Sequence, residues 1–280
     1  MIDLWLIGIG TGNPAHLTLE GRRGIRDAGL ILVPRKGSDR SDLADLRHQI
    51  LRDCETGAQV IEFDMPVRDP VLPYQERVRR WHDEIAARWR NAIALAGPIA
   101  GPVALLIWGD PGLYDSSLRI AERLKPRPRL RVVPGITALQ ALTAAHAIPF
   151  NTINGAVTVT TGRRLREHGW PGDAETVVVM LDGECSFQSL SDMDVHIWWG
   201  GFLGMPEQVL EHGPLGEAGP RIIASRARAR AEHGWIMDTY LLRKTRSAKP
   251  GGIGEQHLLE RCQRASRAES PRITHFRDSI

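Results

Sequence analysis

Cysteine is scarce in this chain. Only Cys54, Cys185 and Cys262 occur in 280 residues. They are far apart and odd in number, with no CxxC spacing. A disulfide framework is therefore not expected, and a reducing cytoplasm is the expected setting. Paired histidines are missing as well. The ten histidines are scattered, with no HxH or HxxxH spacing, so no metal site is expected. No apolar run approaches the ~20 residues of a membrane helix. The longest, such as residues 103–108, have strand length, and no membrane partner is expected. The opening MIDLWLIGIG has no basic n-region and no small-residue cleavage site, so it reads as a first strand rather than a signal peptide.

A strong charge of one sign is also absent. The formal net charge is +3, and seven Lys/Arg against four Asp/Glu in residues 245–280 account for all of it. The body of the chain is near neutral and lacks the basic footprint of a nucleic-acid binder. With 42% hydrophobic and 25% charged residues, the composition is that of a globular protein. The length allows one large domain or two ordinary ones.

Strand-length apolar runs alternate with helical patterns in the first half. Strands are expected at residues 3–9, 30–33, 59–63, 103–108 and 130–133. Helices are expected at 18–28, 41–52, 74–95 and 116–124. In the longest helix Val78, Trp81, Ile85, Trp89 and Ala92 step by three and four, so both tryptophans read as packing residues. Strand, helix, strand in repetition argues a parallel sheet covered on both faces. After Pro134 and Gly135 comes a small-residue helix at 137–147. More closely spaced strands are expected at 157–161, 176–181, 195–199, 221–225 and 235–242. The expected organisation is an N-terminal parallel-sheet α/β domain over 1–134 and a mixed-sheet α/β domain over 135–244. Residues 245–280, rich in charge and carrying Pro250-Gly251-Gly252, read as a disordered tail with room for a short helix at 255–265.

Three glycine-bearing loops fall at strand ends. The first is GIGTGNP, residues 8–14. It invites a dinucleotide reading, which three details oppose. The spacing is GxGxG, Pro14 interrupts before a helix can offer its N–H groups, and the second strand ends in Pro34-Arg35-Lys36 where an acidic residue would hold a ribose. The second is WGDPGLYDS, residues 108–116, and the third is VPGITA, residues 133–138. Glycines there let a ligand approach the backbone. Open α/β sheets bind at the carboxyl ends of their strands.

These loops resemble those of the tetrapyrrole methyltransferase family, the S-adenosylmethionine enzymes of corrin and siroheme synthesis. The resemblance rests on GIGTGNPAHLTL (8–19), WGDPGLYDS (108–116) and VVPGITALQAL (132–142), in family order and spacing, and spans roughly residues 1–243. PRKG (34–37), TTGRRL (160–165), VVVMLDGE (177–184), WWGGFLGMPEQ (198–208) and HGWIMDTYLLR (233–243) tie the chain to one branch of it.

The resemblance implies two α/β domains with S-adenosyl-L-methionine in the cleft between them, leaving as S-adenosyl-L-homocysteine. It implies cofactor contacts at Pro14, Gly109, Asp110, Leu113, Thr137, Ala138, Leu181 and Arg226. For the branch in question it implies methylation of precorrin-5 at C1 with loss of an acetyl group as acetate. That deacylation needs a group to take a proton from water or steady an oxyanion. Asp110 and Tyr114 are the candidates. The implied substrate carries many carboxylates, so arginine and lysine should gather near it. Arg35, Lys36, Arg163 and Arg164 are the expected contacts, and Arg226, Arg228 and Arg230 form a further basic run. A homodimer is compatible with the family. Three rivals remain: a relative acting on another ring position, an NADP-dependent oxidoreductase using Arg35 and Lys36 on a phosphate, and a non-enzymatic binder in which the cleft is vestigial.

Overall fold

The structure is a computed structural model that describes residues 1–35 and 41–245; of residues 41–44 only the backbone is described. Lys36 and the tail expected beyond 245 lie outside the described residues. Two five-stranded sheets make up the molecule.

The first sheet is built from β1 (Asp3–Gly8), β2 (Leu30–Arg35), β3 (Gln59–Asp64), β4 (Val103–Ile107) and β5 (Arg129–Val133). Its order is β3-β2-β4-β1-β5, and every pairing is parallel. Alternation along each strand sorts its side chains between two faces. Leu4, Leu6, Leu30, Leu32, Val103 and Leu105 pack under α3 (Tyr74–Leu95) and α4 (Ser117–Ala121). Ile7, Ile31, Val33, Ala104 and Leu106 pack under α1 (Leu19–Asp27) and α2 (Ser41–Cys54). Both faces are covered, which explains the near-continuous apolar runs. Trp89 is 2% exposed within the α3 face, so it is a packing residue.

The connection leaving β1 runs to β2, on the far side of β4, while the one leaving β4 runs to β5, on the far side of β1. Adjacent strands whose connections depart in opposite directions form a topological switch point, with a crevice outside their carboxyl ends.

The second sheet is mixed, as expected. It contains β6 (Val157–Thr161), β7 (Thr176–Met180), β8 (Val195–Gly201), β9 (Val209–Pro214) and β10 (Asp238–Lys244), ordered β6-β7-β10-β8-β9. Only β6 and β7 are parallel. Helix α5 (Ala138–Ala145) covers one face, while α6 (Gly162–His168) and α7 (Leu215–His233) cover the other.

Two expectations fail here. The strand expected at 221–225 is the middle of α7, and β9 was not anticipated. A short run such as Arg221-Ile222-Ile223 does not distinguish the two states by itself. The spacing of the buried Ala218, Ile222, Ser225 and Ala229 is helical, and Gly234 closes the helix in the left-handed region. Arg226, Arg228 and Arg230 therefore lie on a helix, not in a loop. Arg163 and Arg164 likewise belong to the first turn of α6.

Three histidines gather on the α5 face. The His196 ring lies 4.1 Å from Trp198 and 5.9 Å from His212, and His146 lies 5.8 Å from His212. His196 Nε2 is buried with no hydrogen-bond partner. Burial, then His212, Arg243 and His146, push its pKa down to about 4. An unfolded histidine titrates near ~6.5. Between those values the unfolded chain binds the extra proton, so stability is lost as pH falls from ~6.5 toward the folded pKa. The melting temperature of wild type should fall over that window. In His196→Phe, which keeps a ring against Trp198, the slope should be shallower. An equal slope in scanning calorimetry would remove His196 from the account.

Candidate active site

The carboxyl ends of β1, β4 and β5 meet at three glycines. A Cβ on Gly8 would lie 2.6 Å from the Gly135 nitrogen and 2.8 Å from the Gly109 carbonyl oxygen, and one on Gly135 would collide with that same oxygen. Gly10 and Gly109 exchange backbone hydrogen bonds of 3.3 and 2.8 Å, and Gly109 sits at φ +65°. The Asp110 carboxylate ties this platform together. It accepts from Gly112 N at 2.7 Å and, across to the next strand end, from Gly135 N at 2.9 Å. Below the β4 end, buried Arg47 donates to the Leu106 carbonyl at 3.1 Å. Burial lowers its pKa to about 10, with Asp115 opposing the shift.

The second sheet supplies the facing wall from Met180–Gly183, Phe202, Leu203, Met205, Ile236–Thr239 and Arg226. Its base is a buried polar network. Asp182 accepts from Tyr240 Oη at 2.6 Å, Ser186 N at 2.6 Å, Ser186 Oγ at 2.7 Å and Glu184 N at 3.1 Å. Burial pushes the Asp182 pKa up, but these hydrogen bonds outweigh it and hold the carboxyl below its usual range. Arg226 donates to Asp238 at 2.9 Å and to the Asp182 carbonyl at 3.1 Å, while Trp199 Nε1 also donates to Asp238, at 2.9 Å. Burial raises the Asp238 pKa and the Arg226 guanidinium opposes the rise.

Between the walls is a cleft of about 360 Å³, a size suited to a small-molecule ligand. Tyr114, Leu181 and Phe202 all line it, with φ of +50°, +53° and +49°. Side chains this large rarely adopt that backbone conformation, and strain of this kind gathers at functional sites. The walls also touch directly. Met205 packs where a Cβ on Gly12 would lie, Gly204 packs against His16 and Thr11, and Tyr114 Oη donates to the Val159 carbonyl at 3.2 Å. Burial raises the Tyr114 pKa, with Arg164 opposing, so the phenol stays a proton donor at neutral pH.

Gly109, Asp110, Leu113, Tyr114, Thr137, Ala138, Leu181 and Arg226 line this cleft. The Thr137 hydroxyl caps α5, accepting from Leu139 N at 3.1 Å. Pro14 does not line it. It is exposed on a single 3-10 turn capped by Asn13, and the neighbouring Thr11 faces the cleft instead. Arg35 is also elsewhere, paired with Glu62 at 3.3 Å and Asp64 at 3.0 Å, so its charge is already matched. Arg163 and Arg164 are exposed at the start of α6, outside the lining, with Arg164 near Tyr114. Sequence reasoning missed Thr11, Trp108, Phe202, Met205, Met237 and Asp238. The segments WWGGFLGM and IMDTY carried the signal, but only as likeness, without a chemical role. Among the described residues, no group of three or more His, Cys, Asp or Glu could hold a metal ion, and no helix is long and apolar enough to cross a membrane.

A parallel α/β sheet joined to a mixed one, with a ligand-sized cleft at the switch point between them, is the arrangement of an α/β protein that binds a small molecule between its two sheets. The family of Tetrapyrrole (Corrin/Porphyrin) Methylases matches residues 3–219, and the chain belongs to it. It is 42% identical to the precorrin-6A synthase (deacetylating) of a Sinorhizobium species, over 87% of this chain and 96% of that protein. Its structure is similar to that of a cobalamin synthesis related protein (CobF) from Corynebacterium diphtheriae, with TM-score 0.75 and 42% identity over 87% of this chain and 99% of that one. The fold is shared with uroporphyrin-III C-methyltransferase of Thermus thermophilus complexed with S-adenosyl homocysteine. That match has TM-score 0.53 and 18% identity over 86% of this chain and 97% of that one.

The Asp110 carboxylate joins two strand ends, so Asp110→Ala should lower stability by on the order of 2 kcal/mol. Asp110→Asn keeps one acceptor and should lose less. Scanning calorimetry of both variants checks this, and a wild-type melting temperature in Asp110→Ala would contradict it.

Proposed function

We propose that the chain catalyses the reaction of precorrin-6A synthase (deacetylating), methylating precorrin-5 at C1 from S-adenosyl-L-methionine and releasing acetate. The observation that carries the reading is the sign of the cleft. Asp110, Asp115, Asp182 and Asp238 line it against a single Arg226, and that arginine is held by Asp238. An acidic cleft suits a cationic sulfonium with an ammonium group and repels the phosphates of NADP. The pairing of Arg35 with two carboxylates weakens the NADP reading further. Room for the cofactor is compatible with two backbones. A Cβ on Gly109 would meet only the Thr137 Cα, at 3.9 Å, and one on Gly183 would meet nothing within 4 Å. The identity to the Sinorhizobium enzyme supports the particular reaction.

S-adenosyl-L-methionine supplies an activated methyl group with a good leaving group. The chain has to align it with the ring carbon and exclude water. On this reading Gly109, Leu113, Thr137 and Ala138 hold the cofactor from one side, and Leu181, Gly183 and Arg226 from the other. Deacetylation adds water to the acetyl carbonyl and breaks its bond to the ring carbon, whose electron pair then meets the methyl group as acetate leaves. Tyr114, protonated at neutral pH, is the donor suited to steady the oxyanion, by exchanging its hydrogen bond to the Val159 carbonyl for one to the ligand. Asp110, with both oxygens accepting backbone N–H groups, acts by holding the platform. The two sheets are read as the cores of two domains that meet near Pro134 and Gly135.

S-adenosyl-L-homocysteine at a hundred times its dissociation constant should stabilise the protein by about 2.7 kcal/mol, and NADP should not. Incubation with precorrin-5 and S-adenosyl-L-methionine should yield the C1-methylated product and an equivalent of acetate by mass analysis. Methylation elsewhere, or retention of the acetyl group, would contradict the proposal.

A further inference from the structure

The cleft is acidic, yet beyond its lining residue Tyr114 there is a group of arginines, contributed by elements of both sheets. The loop between β3 and α3 is pinned by Trp81, whose Nε1 donates to the Pro66 carbonyl at 2.8 Å. On this loop and the first turn of α3, arginines lie over aromatic rings. The Arg68 guanidinium carbon is 4.0 Å from the centre of Trp81, and that of Arg77 is 5.7 Å from the centre of Tyr74. A third arginine reaches the same ring from the other sheet: the Arg163 guanidinium carbon is 4.5 Å from the centre of Tyr74. Tyr74 is therefore a contact between the β3–α3 loop and α6. Next to Arg163, Arg164 is near enough to Tyr114 to lower its phenol pKa against burial, and Tyr114 lines the cleft. Arg164 and Arg163, adjacent in α6, thus link Tyr114 at the cleft to Tyr74.

Two properties make this group unlike ordinary surface. Among the described residues, Arg68, Arg77, Arg163 and Arg164 form no ion pair with a carboxylate, whereas Arg35, Arg80 and Arg123 on neighbouring elements do. The two guanidinium groups over the Tyr74 ring, Arg77 and Arg163, repel each other, a cost that an anionic ligand removes. The same loop also exposes apolar surface, with Val67 91%, Val71 88% and Tyr74 52% exposed. An aromatic ring under a guanidinium steadies it while leaving its in-plane N–H fork free for a carboxylate.

We propose that Tyr74, with Arg77 and Arg163 stacked over its ring and Arg68 beside it on Trp81, forms a strap that grips the peripheral carboxylates of the tetrapyrrole. Arg68, Arg77 and Arg163 make the contacts, and Tyr74 is a positioning residue that aims two of them. The strap sets selectivity for the number of carboxylates on the macrocycle. This inference rests on the tetrapyrrole part of the proposed function and not on which ring carbon reacts.

The test uses two stable probes, uroporphyrin, with a carboxylate on every peripheral substituent, and coproporphyrin, with half as many. Binding to the full chain is followed by fluorescence, and S-adenosyl-L-homocysteine binding by calorimetry. Wild type should bind uroporphyrin more tightly than coproporphyrin. Tyr74→Leu and Arg163→Gln should each weaken uroporphyrin by about tenfold and shrink the preference. Tyr74→Phe, which keeps the ring, should bind within about twofold of wild type. S-adenosyl-L-homocysteine affinity should be unchanged in all three. Wild-type uroporphyrin affinity in Tyr74→Leu and Arg163→Gln would overturn the strap, as would an equal loss in Tyr74→Phe, or no uroporphyrin binding by wild type. None of these arms needs turnover. Loss of porphyrin binding in the variants, with no product from precorrin-5 in wild type, would uphold the strap and reject the proposed reaction. Product formation with unaltered variant affinities would do the reverse.

Discussion

Three strand ends can share one point only where the backbones that touch carry no side chain in the way. Gly8 and Gly135 meet that condition against the Gly109 carbonyl at the carboxyl ends of β1, β5 and β4, and Gly109 itself turns at φ +65°. Their contact places the loops that follow side by side at the switch point of the parallel sheet. A Cβ at Gly8 or Gly135 would push backbone against backbone, with no flexible side chain to yield. The Asp110 carboxylate then holds Gly135 from the β4 loop, and the cap on α5 begins two residues later at Thr137. The near wall of the cleft is thus largely backbone, fixed by close packing and a few hydrogen bonds.

The far wall is fixed differently. Asp182, Arg226, Asp238, Trp199 and Tyr240 form a buried polar network that clamps the segment after β7. Leu181 is held in the left-handed region beside it. Buried polar groups are tolerable only when satisfied, and each carboxylate here has several donors. The cleft lining is acidic, and the arginine strap proposed above lies outside it, beyond Tyr114. A sulfonium cofactor and a polycarboxylate substrate would then be sorted by electrostatics before any close contact forms.

Much of this was legible in the sequence because the determinants are local. Glycine at a strand end, followed by proline or a helix cap, marks a loop from a few adjacent residues. The three loops announced the near wall and most of its lining. The far wall was less legible. Asp182 and Tyr240 are 58 residues apart and meet only because β10 inserts between β7 and β8, an order no local pattern encodes. Residues 221–225 read as a strand because five residues cover little more than one helical turn, too few for the period to repeat. Pro14 was carried over by position, whereas the turn it starts points outward. Arg35 was expected to contact substrate, and its partners Glu62 and Asp64 went unseen because they come from the neighbouring strand, paired with β2 in register.

The central claim is that the glycine platform and the Asp182 network are the two walls of one cofactor site. A crystal structure of the chain with S-adenosyl-L-homocysteine tests it most directly. The ligand should lie between Gly109 and Thr137 on one side and Leu181 to Gly183 on the other, with the contacts among Gly8, Gly109 and Gly135 unchanged. Ligand bound outside this cleft, or a cleft that reaches it only by separating the three glycines, would contradict the account.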